Sequence, residues 1–257
     1  MDFSNKYVLG FATALCLLCA GAVSVLATSL KPQIELNKKL DQQRKILWVS
    51  GLAAADDPLP PERVEELYGF VKGRVIDRET GAYADDLTVD TVDPEKESKD
   101  PATSIEMPDG KGKGSQVASL PDHLEVFEIT KEGAECVVLP IWGKGLWSTM
   151  YGYLALAPDA TTVKGITFYA HGETAGLGGE IDNKAWQASW VGKEVYAGGD
   201  LTADVVLGVT KYGAPRDESF QVDGLSGATI TSKGVDGTVK MWLSDVGYGP
   251  YLQQMNP

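Results

Sequence analysis

The segment VDGLSGATITSKGVDGTVKMWL, residues 222–243, combines hydroxyl and small side chains in a way that suits a phosphate group. Four apolar residues recur there at helical spacing, at Val235, Val239, Trp242 and Leu243. They predict an amphipathic helix that ends near Gly247. A helix N-terminus attracts phosphate through its unpaired N–H groups and the positive end of its dipole. From spacing alone, an ordinary helix capped by Thr231 or Ser232 explains the same residues.

The first part of this segment resembles a known attachment motif. Asp223-Gly224-Leu225-Ser226-Gly227-Ala228-Thr229 is similar to the flavinylation motif D-G-x-S-G-A-T of FMN-binding domains in sodium-pumping NADH:quinone reductases and in the related Rnf complexes. The resemblance implies that a dedicated flavin transferase takes FMN from FAD and esterifies its phosphate to the hydroxyl of Thr229. It also implies cofactor-binding roles for Asp223, Ser226, Gly227, Ala228 and Thr231. Asp223 is expected to orient or activate the Thr229 hydroxyl.

A second block, residues 143–181, resembles the NqrC family, the C subunits of these reductases, along its whole length. Its characteristic pieces are Gly145-Leu146-Trp147-Ser148, Gly172-Glu173-Thr174 and Gly176-Leu177-Gly178. In the family, a proline commonly precedes Gly176-Leu177-Gly178, whereas this chain has Ala175 there. The change removes the fixed φ angle of proline but no side-chain group needed for binding. The resemblance implies that seven residues of the block bind the flavin: Trp147, Ser148, Glu173, Thr174, Gly176, Leu177 and Gly178.

These residue types suit a flavin, whose isoalloxazine is a flat apolar plate with a polar pyrimidine edge. Leu177, between two glycines, is expected to lie against the ring. Trp147 and Ser148 are expected to line the ribityl chain or the ring edge, and Thr174 to bond the pyrimidine. Taken singly, each residue is equally well explained by core packing or a turn. His171 is predicted to be a surface residue at a strand end, and two histidines do not favour a His-based metal site.

The resemblance implies an electron-relay protein rather than an independent catalyst. Such a protein passes single electrons between an iron–sulfur centre and the covalent FMN of the B subunit. It works with the A, B, D, E and F subunits of a six-subunit reductase in the bacterial inner membrane, and its soluble domain faces the periplasm. Two alternatives are the G subunit of an Rnf-type complex and a non-redox, membrane-tethered binding module. Length and the block at 143–181 favour the NqrC family over the Rnf protein.

The elements that position these motifs can also be predicted. Residues 127–173 are β-branched and aromatic runs broken by turn residues, and they predict consecutive antiparallel strands of a meander. Residues 183–194 predict a short helix with Trp186 and Trp190 on one face. The fold class is therefore α+β: an N-terminal transmembrane helix, then an FMN-binding domain with an antiparallel sheet flanked by helices.

The N-terminus predicts a membrane anchor. Residues 7–30 carry no charge, and these 24 residues would span roughly 36 Å as a helix, enough to cross a bilayer core of about 30 Å. The alternative is a cleaved signal peptide, whose apolar region is usually shorter and follows a more basic start. Lysines on both sides of the run leave the orientation open on charge alone.

Composition and charge set the remaining limits. The net charge of −13 argues against nucleic acid as a partner. Cys136 is the single cysteine outside the apolar run, so no disulfide can form within the remainder of the chain. Residues 84–126 have no aromatic residue and many acidic ones, which predicts a surface excursion. The predicted division is a transmembrane anchor at 1–30, a helical connection at 31–76, an acidic surface excursion at 77–126 and the covalent FMN-binding domain at 127–257.

Overall fold

The computed structural model describes residues 4–54 and 57–255, and the chain divides into two compact units between Gln42 and Gln43. The first unit consists of most of helix α1, which runs from Asn5 to Val49 and exposes its large apolar side chains between Tyr7 and Leu36. Among the described residues, α1 is the one helix long and apolar enough to cross a membrane. It continues through Pro32, so the apolar run at 7–30 and the helix expected to follow it from residue 31 form one helix.

The second unit is built on a five-stranded antiparallel sheet in the order β1-β4-β5-β6-β7. Its strands are β1 (Val71–Asp77), β4 (His123–Ile129), β5 (Cys136–Lys144), β6 (Thr149–Leu156) and β7 (Val163–Ala170). Two small two-stranded sheets are formed by β2 (Ser104–Glu106) with β3 (Ser119–Pro121), and by β8 (Gly208–Val209) with β9 (Gln221–Val222). The predicted meander is confirmed, because β4 to β7 pair in chain order.

Five further helices belong to this unit: α2 (Pro61–Tyr68), α3 (Pro94–Glu97), α4 (Lys184–Ala188), α5 (Thr229–Leu243) and α6 (Gly249–Met255). Helix α5 packs across β5. Trp242 on α5 donates from its indole N–H to the carbonyl of Trp142 at 2.6 Å, and the two ring centroids lie 4.1 Å apart. Trp242 is fully buried, so this contact fixes the helix on the sheet and thereby places its N-terminus.

Two predicted boundaries are wrong. The interval 31–76 was expected to be a helical connection, but Val71–Asp77 forms edge strand β1, paired antiparallel with β4 from Val71↔Ile129 to Asp77↔His123. The interval 77–126 was expected to lie outside the core, yet Leu120, Leu124 and Val126 are fully buried in it. A segment without aromatic residues still joins a core when its few aliphatic side chains share one strand face.

Two predicted helices begin or end elsewhere. The helix expected at 183–194 ends at Ala188, although Trp186 and Trp190 do contact each other edge to face with centroids 5.6 Å apart. The helix expected to end near Gly247 ends at Leu243, and its first residue is Thr229. The start at Thr229 places the whole D-G-x-S-G-A-T sequence in the approach to the helix.

Candidate functional site

The approach to α5 is a tight turn that ends in an uncapped helix N-terminus. Gly227 has a φ of +72°, a conformation that favours glycine, and it directs the chain into the helix. The N-cap residue is Ala228, which makes no side-chain hydrogen bond to the first N–H groups of the helix. These N–H groups and the positive end of the helix dipole are therefore available to an anion at Thr229.

The hydroxyl groups of this region fall into two sets. Thr231 and Ser232 are buried, with 1% and 4% of their surface exposed, whereas Ser226 and Thr229 are exposed. Ser232 Oγ accepts from the Leu225 N–H at 2.9 Å and donates to the Ala228 carbonyl at 3.0 Å. Within the described ranges, no hydrogen bond to the Thr229 hydroxyl is found. Because Thr231 and Ser232 lie inside the helix, the alternative that one of them caps it is wrong.

Glu173 joins three parts of the site through its carboxylate. It accepts from the backbone N–H groups of Leu146 at 3.1 Å, Trp147 at 2.8 Å and Ser148 at 3.2 Å. It also accepts from the Thr231 hydroxyl at 2.6 Å. The carboxylate thus ties the 145–148 turn and the first turn of α5 to the segment after β7.

The pKa of Glu173 reflects this arrangement. Burial, which leaves 8% of the residue exposed, acts to raise the pKa of the carboxyl group. The hydrogen bonds from the Thr231 hydroxyl and the three N–H groups outweigh burial and hold the pKa of Glu173 below its ordinary value. The group is therefore a stable buried anion whose charge is neutralised by donors.

Two glycines allow the chain to approach this carboxylate closely. A Cβ at Gly145 would lie 2.6 Å from Glu173 Oε1. A Cβ at Gly178 would lie 2.5 Å from Thr231 Oγ1 and 2.7 Å from Glu173 Oε2. Any larger residue at either position would push the carboxylate out of place. Packing around Glu173 thus explains Gly145 and Gly178 of the second sequence block.

Leu177 lies next to the attachment motif. It sits between Gly176, whose φ is +75°, and buried Gly178, and it is 45% exposed. Its Cδ2 would be 3.0 Å from a Cβ placed on Gly227. No local sequence pattern indicates this closeness, because 50 positions separate the two residues. Exposed apolar side chains also occur at Leu146, Trp147 and Ile230, with 49%, 70% and 53% of their surfaces exposed.

Three predicted site residues make contacts within the chain. Asp223 accepts from the Gly213 N–H at 2.8 Å and lies 3.4 Å from Arg216, so its carboxylate holds the 213–216 loop and does not contact Thr229. Ser148 Oγ accepts from the Gly172 N–H at 2.6 Å, which is a structural contact. Thr174 is exposed, and its carbonyl accepts from the N–H groups of the following turn.

A cavity of about 530 Å³ opens beside the motif. Its walls include Asp223 to Ser226, Gly176, Trp186 on α4, and the loop residues Tyr212 and Arg216. The volume is within the range of about 300–1,000 Å³ typical of small-molecule sites. No sequence motif indicated the 208–218 loop or Ile230 as part of this site. Two features of the sequence could have indicated them: Tyr212 is an aromatic residue in a polar loop, and Ile230 is an apolar residue between two threonines at the helix start.

Comparison with known proteins assigns this arrangement to a class. Residues 145–244, which hold the Glu173 contacts, the Leu177 turn and α5, match the FMN-binding domain family. The class defined by fold and site is therefore that of FMN-binding domain proteins.

The relatives are more specific. The chain is 43% identical over 256 residues to the C subunit of the Na⁺-translocating NADH-quinone reductase of Haemophilus ducreyi, covering 97% of this chain and 95% of that protein. It is 38% identical over 259 residues to the same protein of Vibrio parahaemolyticus, with 98% and 95% covered. The crystal structure of NqrC from Shewanella oneidensis superposes with a TM-score of 0.74 at 27% identity, covering 86% of this chain and 98% of that one. The chain belongs to the NqrC family, the C subunits of Na⁺-translocating NADH-quinone reductases.

Proposed function

We propose that this chain is the flavin-carrying subunit of a sodium-pumping NADH-quinone reductase, with the phosphate of FMN esterified to Thr229. The observation that carries the proposal is an exposed threonine hydroxyl at the first residue of an uncapped helix, within a domain that matches FMN-binding proteins. An ester there places the phosphate beside unpaired N–H groups, where an anion is stabilised.

The competing hydroxyls are less suitable. Thr231 is buried and its hydroxyl donates to Glu173, so modification would break a contact that holds the site together. Ser232 is buried and hydrogen-bonded in the turn. Ser226 is exposed and remains a rival, which an experiment must separate from Thr229.

The surroundings of Thr229 fit the rest of the cofactor. Leu177 lies against the motif and presents an aliphatic side chain to solvent, so it is suited to cover one face of the ring. Ile230 adds exposed apolar surface. The cavity supplies polar and aromatic walls next to Ser226. When bound, FMN supplies electron transfer in single steps, and these residues bind it and limit the access of water.

The covalent link suits a relay. A tethered cofactor is retained in an open site and stays near the surface, where partner proteins can approach. We therefore propose that single electrons pass from an iron–sulfur centre to this flavin and then to the FMN of the B subunit. The partners would be the A, B, D, E and F subunits, and a flavin transferase would load the cofactor. Residues 1–30 would anchor the chain in the bacterial inner membrane, with the flavin domain on the periplasmic side.

A gel experiment tests the covalent link. The full chain, produced together with the flavin transferase, should give a yellow, UV-fluorescent band that survives SDS electrophoresis. Thr229→Ala should abolish the band, whereas Thr229→Ser and Ser226→Ala should retain it. A non-redox tethered module predicts no fluorescent band in any of these proteins. A band that survives Thr229→Ala but not Ser226→Ala would move the attachment to Ser226.

A further inference from the structure

A lysine-rich surface lies next to the flavin site of a chain whose net charge is −13. Three segments form it: 111–116 (KGKGSQ), 143–149 (GKGLWST) and 231–235 (TSKGV), none of which contains an acidic residue. Lys113, Lys144 and Lys233 are exposed. In the part of the chain that the structure describes, no ion pair to these three lysines is found. We call these three lysines with Leu146 and Trp147 the basic face.

Backbone contacts bring the three segments together. The N–H of Lys144 donates to the carbonyl of Ser115 at 2.8 Å. A Cβ at Gly114 would lie 3.2 Å from the carbonyl oxygen of Lys233. A Cβ at Gly234 would collide with the carbonyl oxygen of Lys144. The two glycines therefore let both loops pack directly on α5. The lysines emerge from one site on the domain, not from three separate regions.

The apolar part of the basic face is fixed to the same place. Leu146 and Trp147 are in the turn that Glu173 holds, and that carboxylate is bonded to Thr231 on α5. The carboxylate of Glu173 is buried and accepts hydrogen bonds from four donors. It therefore does not offset the lysine charges at the surface. Trp147, with 70% of its surface exposed, lies three positions after Lys144, in the segment that packs on α5 beside Lys233.

We propose that the basic face is the docking surface for an acidic patch on another protein of the reductase complex. Protein interfaces commonly place an aromatic anchor at the centre and charged residues at the rim, and complementary charge fixes their orientation. The rest of this acidic chain would repel an acidic partner, so the partner would be directed to this face. The inference rests on the proposed membership of a reductase complex.

The same chemistry suits an anionic lipid surface less well. Lipid-binding basic clusters generally contain about four to eight lysines or arginines, whereas the basic face has three lysines. The remaining acidic surface would also be repelled by anionic headgroups. A protein partner is therefore the occupant that charge favours.

Assembly of the complex tests the proposal. The chain is tagged and the reductase is purified from membranes at low and moderate salt, and the other five proteins of the complex are quantified. At moderate salt, the variant Lys144→Glu/Lys233→Glu should retain about tenfold less than the wild-type chain of the protein whose acidic patch binds the basic face. The control Lys72→Glu/Lys131→Glu makes the same charge change on edge strand β1 and after β4 and should retain wild-type amounts. Equal retention by both variants would overturn the docking proposal, whereas failure of the wild-type chain to co-purify would overturn the proposed function as well.

Photo-cross-linking identifies what covers Trp147. A benzophenone amino acid at position 147 in the intact complex should cross-link to a carboxylate-rich peptide of another protein of the complex. Cross-links found only on lipid would assign the face to the membrane and contradict the proposal. So would cross-links that form in vesicles containing anionic lipid but not in vesicles without it. In-gel flavin fluorescence of the same samples reports attachment separately, so a defect in flavinylation is not mistaken for a defect in docking.

Discussion

The hydroxyl of Thr231 donates to the carboxylate of Glu173 at 2.6 Å, across 58 positions of sequence. This bond joins α5, two residues after Thr229, to the segment that carries Leu177. The same carboxylate holds the backbone of the Trp147 turn. The geometry of the flavin site therefore depends on one buried anion and its donors.

Replacement of that anion should loosen the site. In Glu173→Gln one acceptor oxygen becomes an NH₂ group that faces backbone N–H donors, and the expected loss in free energy of unfolding is about 1–3 kcal/mol. The control is Glu132→Gln, an exposed residue in the turn before β5, which should leave stability unchanged. Denaturant unfolding of the soluble domain measures both.

The pH dependence of this effect has a definite sign. Because the folded pKa of Glu173 is lowered, its stabilisation is complete above the unfolded pKa and is lost as pH falls through the folded pKa. The stability difference between wild type and Glu173→Gln should thus be full at neutral pH and shrink in acid. A difference that grows in acid would contradict the assignment of Glu173 as a hydrogen-bonded anion.

Glu125 should show the opposite behaviour. Burial, with smaller contributions from the charges of Asp93 and Asp90, raises the pKa of Glu125 from 4.5 to about 7. The folded protein then holds a proton that the unfolded chain releases, so stability declines as pH rises from about 4.5 to 7 and is flat above. Glu125→Gln removes this penalty and should add up to about 3 kcal/mol at pH 8.

The matched control for Glu125 is Glu106→Gln on the exposed strand β2. Thermal unfolding at pH 5 and pH 8 gives the comparison. The gain in Glu125→Gln should appear at pH 8 and be small at pH 5. An equal gain at both values would show that the carboxyl group is not protonated in the folded domain.

Leu177→Ala should alter the flavin without removing it. Attachment depends on the Thr229 hydroxyl, but the ring would lose an aliphatic contact, and burial of one leucine contributes about 1.5–3 kcal/mol. Only the part that differs between oxidation states shifts a potential, and one kcal/mol corresponds to roughly 40 mV for one electron. The shift should be tens of millivolts, with increased solvent exposure of the ring seen in its fluorescence.

The control for Leu177 is Val191→Ala, which also removes an exposed aliphatic side chain, 56% exposed in this case, from another loop. It should change neither fluorescence nor potential. If a folded, flavinylated Leu177→Ala protein kept wild-type values of both, the Leu177 turn would lie away from the ring.

The first thirty residues should remain on the mature chain. Helix α1 is continuous from Asn5 to Val49, and its large apolar side chains between Tyr7 and Leu36 are exposed, as expected of a retained span. N-terminal sequencing of the membrane-extracted protein should begin at or near Met1, and a chain that starts at Lys31 should be soluble. A mature start near residue 28 would show that a signal peptide had been removed.

The sequence was most informative where one short element carries its own pattern. Runs of β-branched and aromatic residues broken by turn residues predicted β4 to β7, and the helical spacing of apolar residues from Val235 to Leu243 predicted α5. Contacts between distant segments were not predictable. The Glu173 carboxylate meets donors at 146–148 and at 231, and such pairs leave no local periodicity. The motif resemblance suggested that Asp223 orients the Thr229 hydroxyl, yet its carboxylate accepts from the Gly213 N–H in the 213–216 loop.

Strand β1 shows a second cause of error. Lys72 and Arg74 alternate with Val71, Gly73 and Val75, but the strand has only seven residues and closely follows helix α2. As an edge strand it is paired on one side only, and exposure of its other residues obscures the pattern. Residues 71–77 form a strand because they pair with β4, and a local sequence pattern cannot reveal that pairing.

The attachment of FMN to Thr229 is tested most directly by mapping the flavin on the peptide. Trypsin cleavage after Arg216 and Lys233 releases residues 217–233, which hold five hydroxyls, at Ser219, Ser226, Thr229, Thr231 and Ser232. Fragmentation of this peptide from the membrane-extracted chain should place the added FMN mass on Thr229, and the peptide from Thr229→Ala should carry none. Flavin found on Ser226, Thr231 or Ser232, or an unmodified peptide from a chain produced with its transferase, would contradict the account.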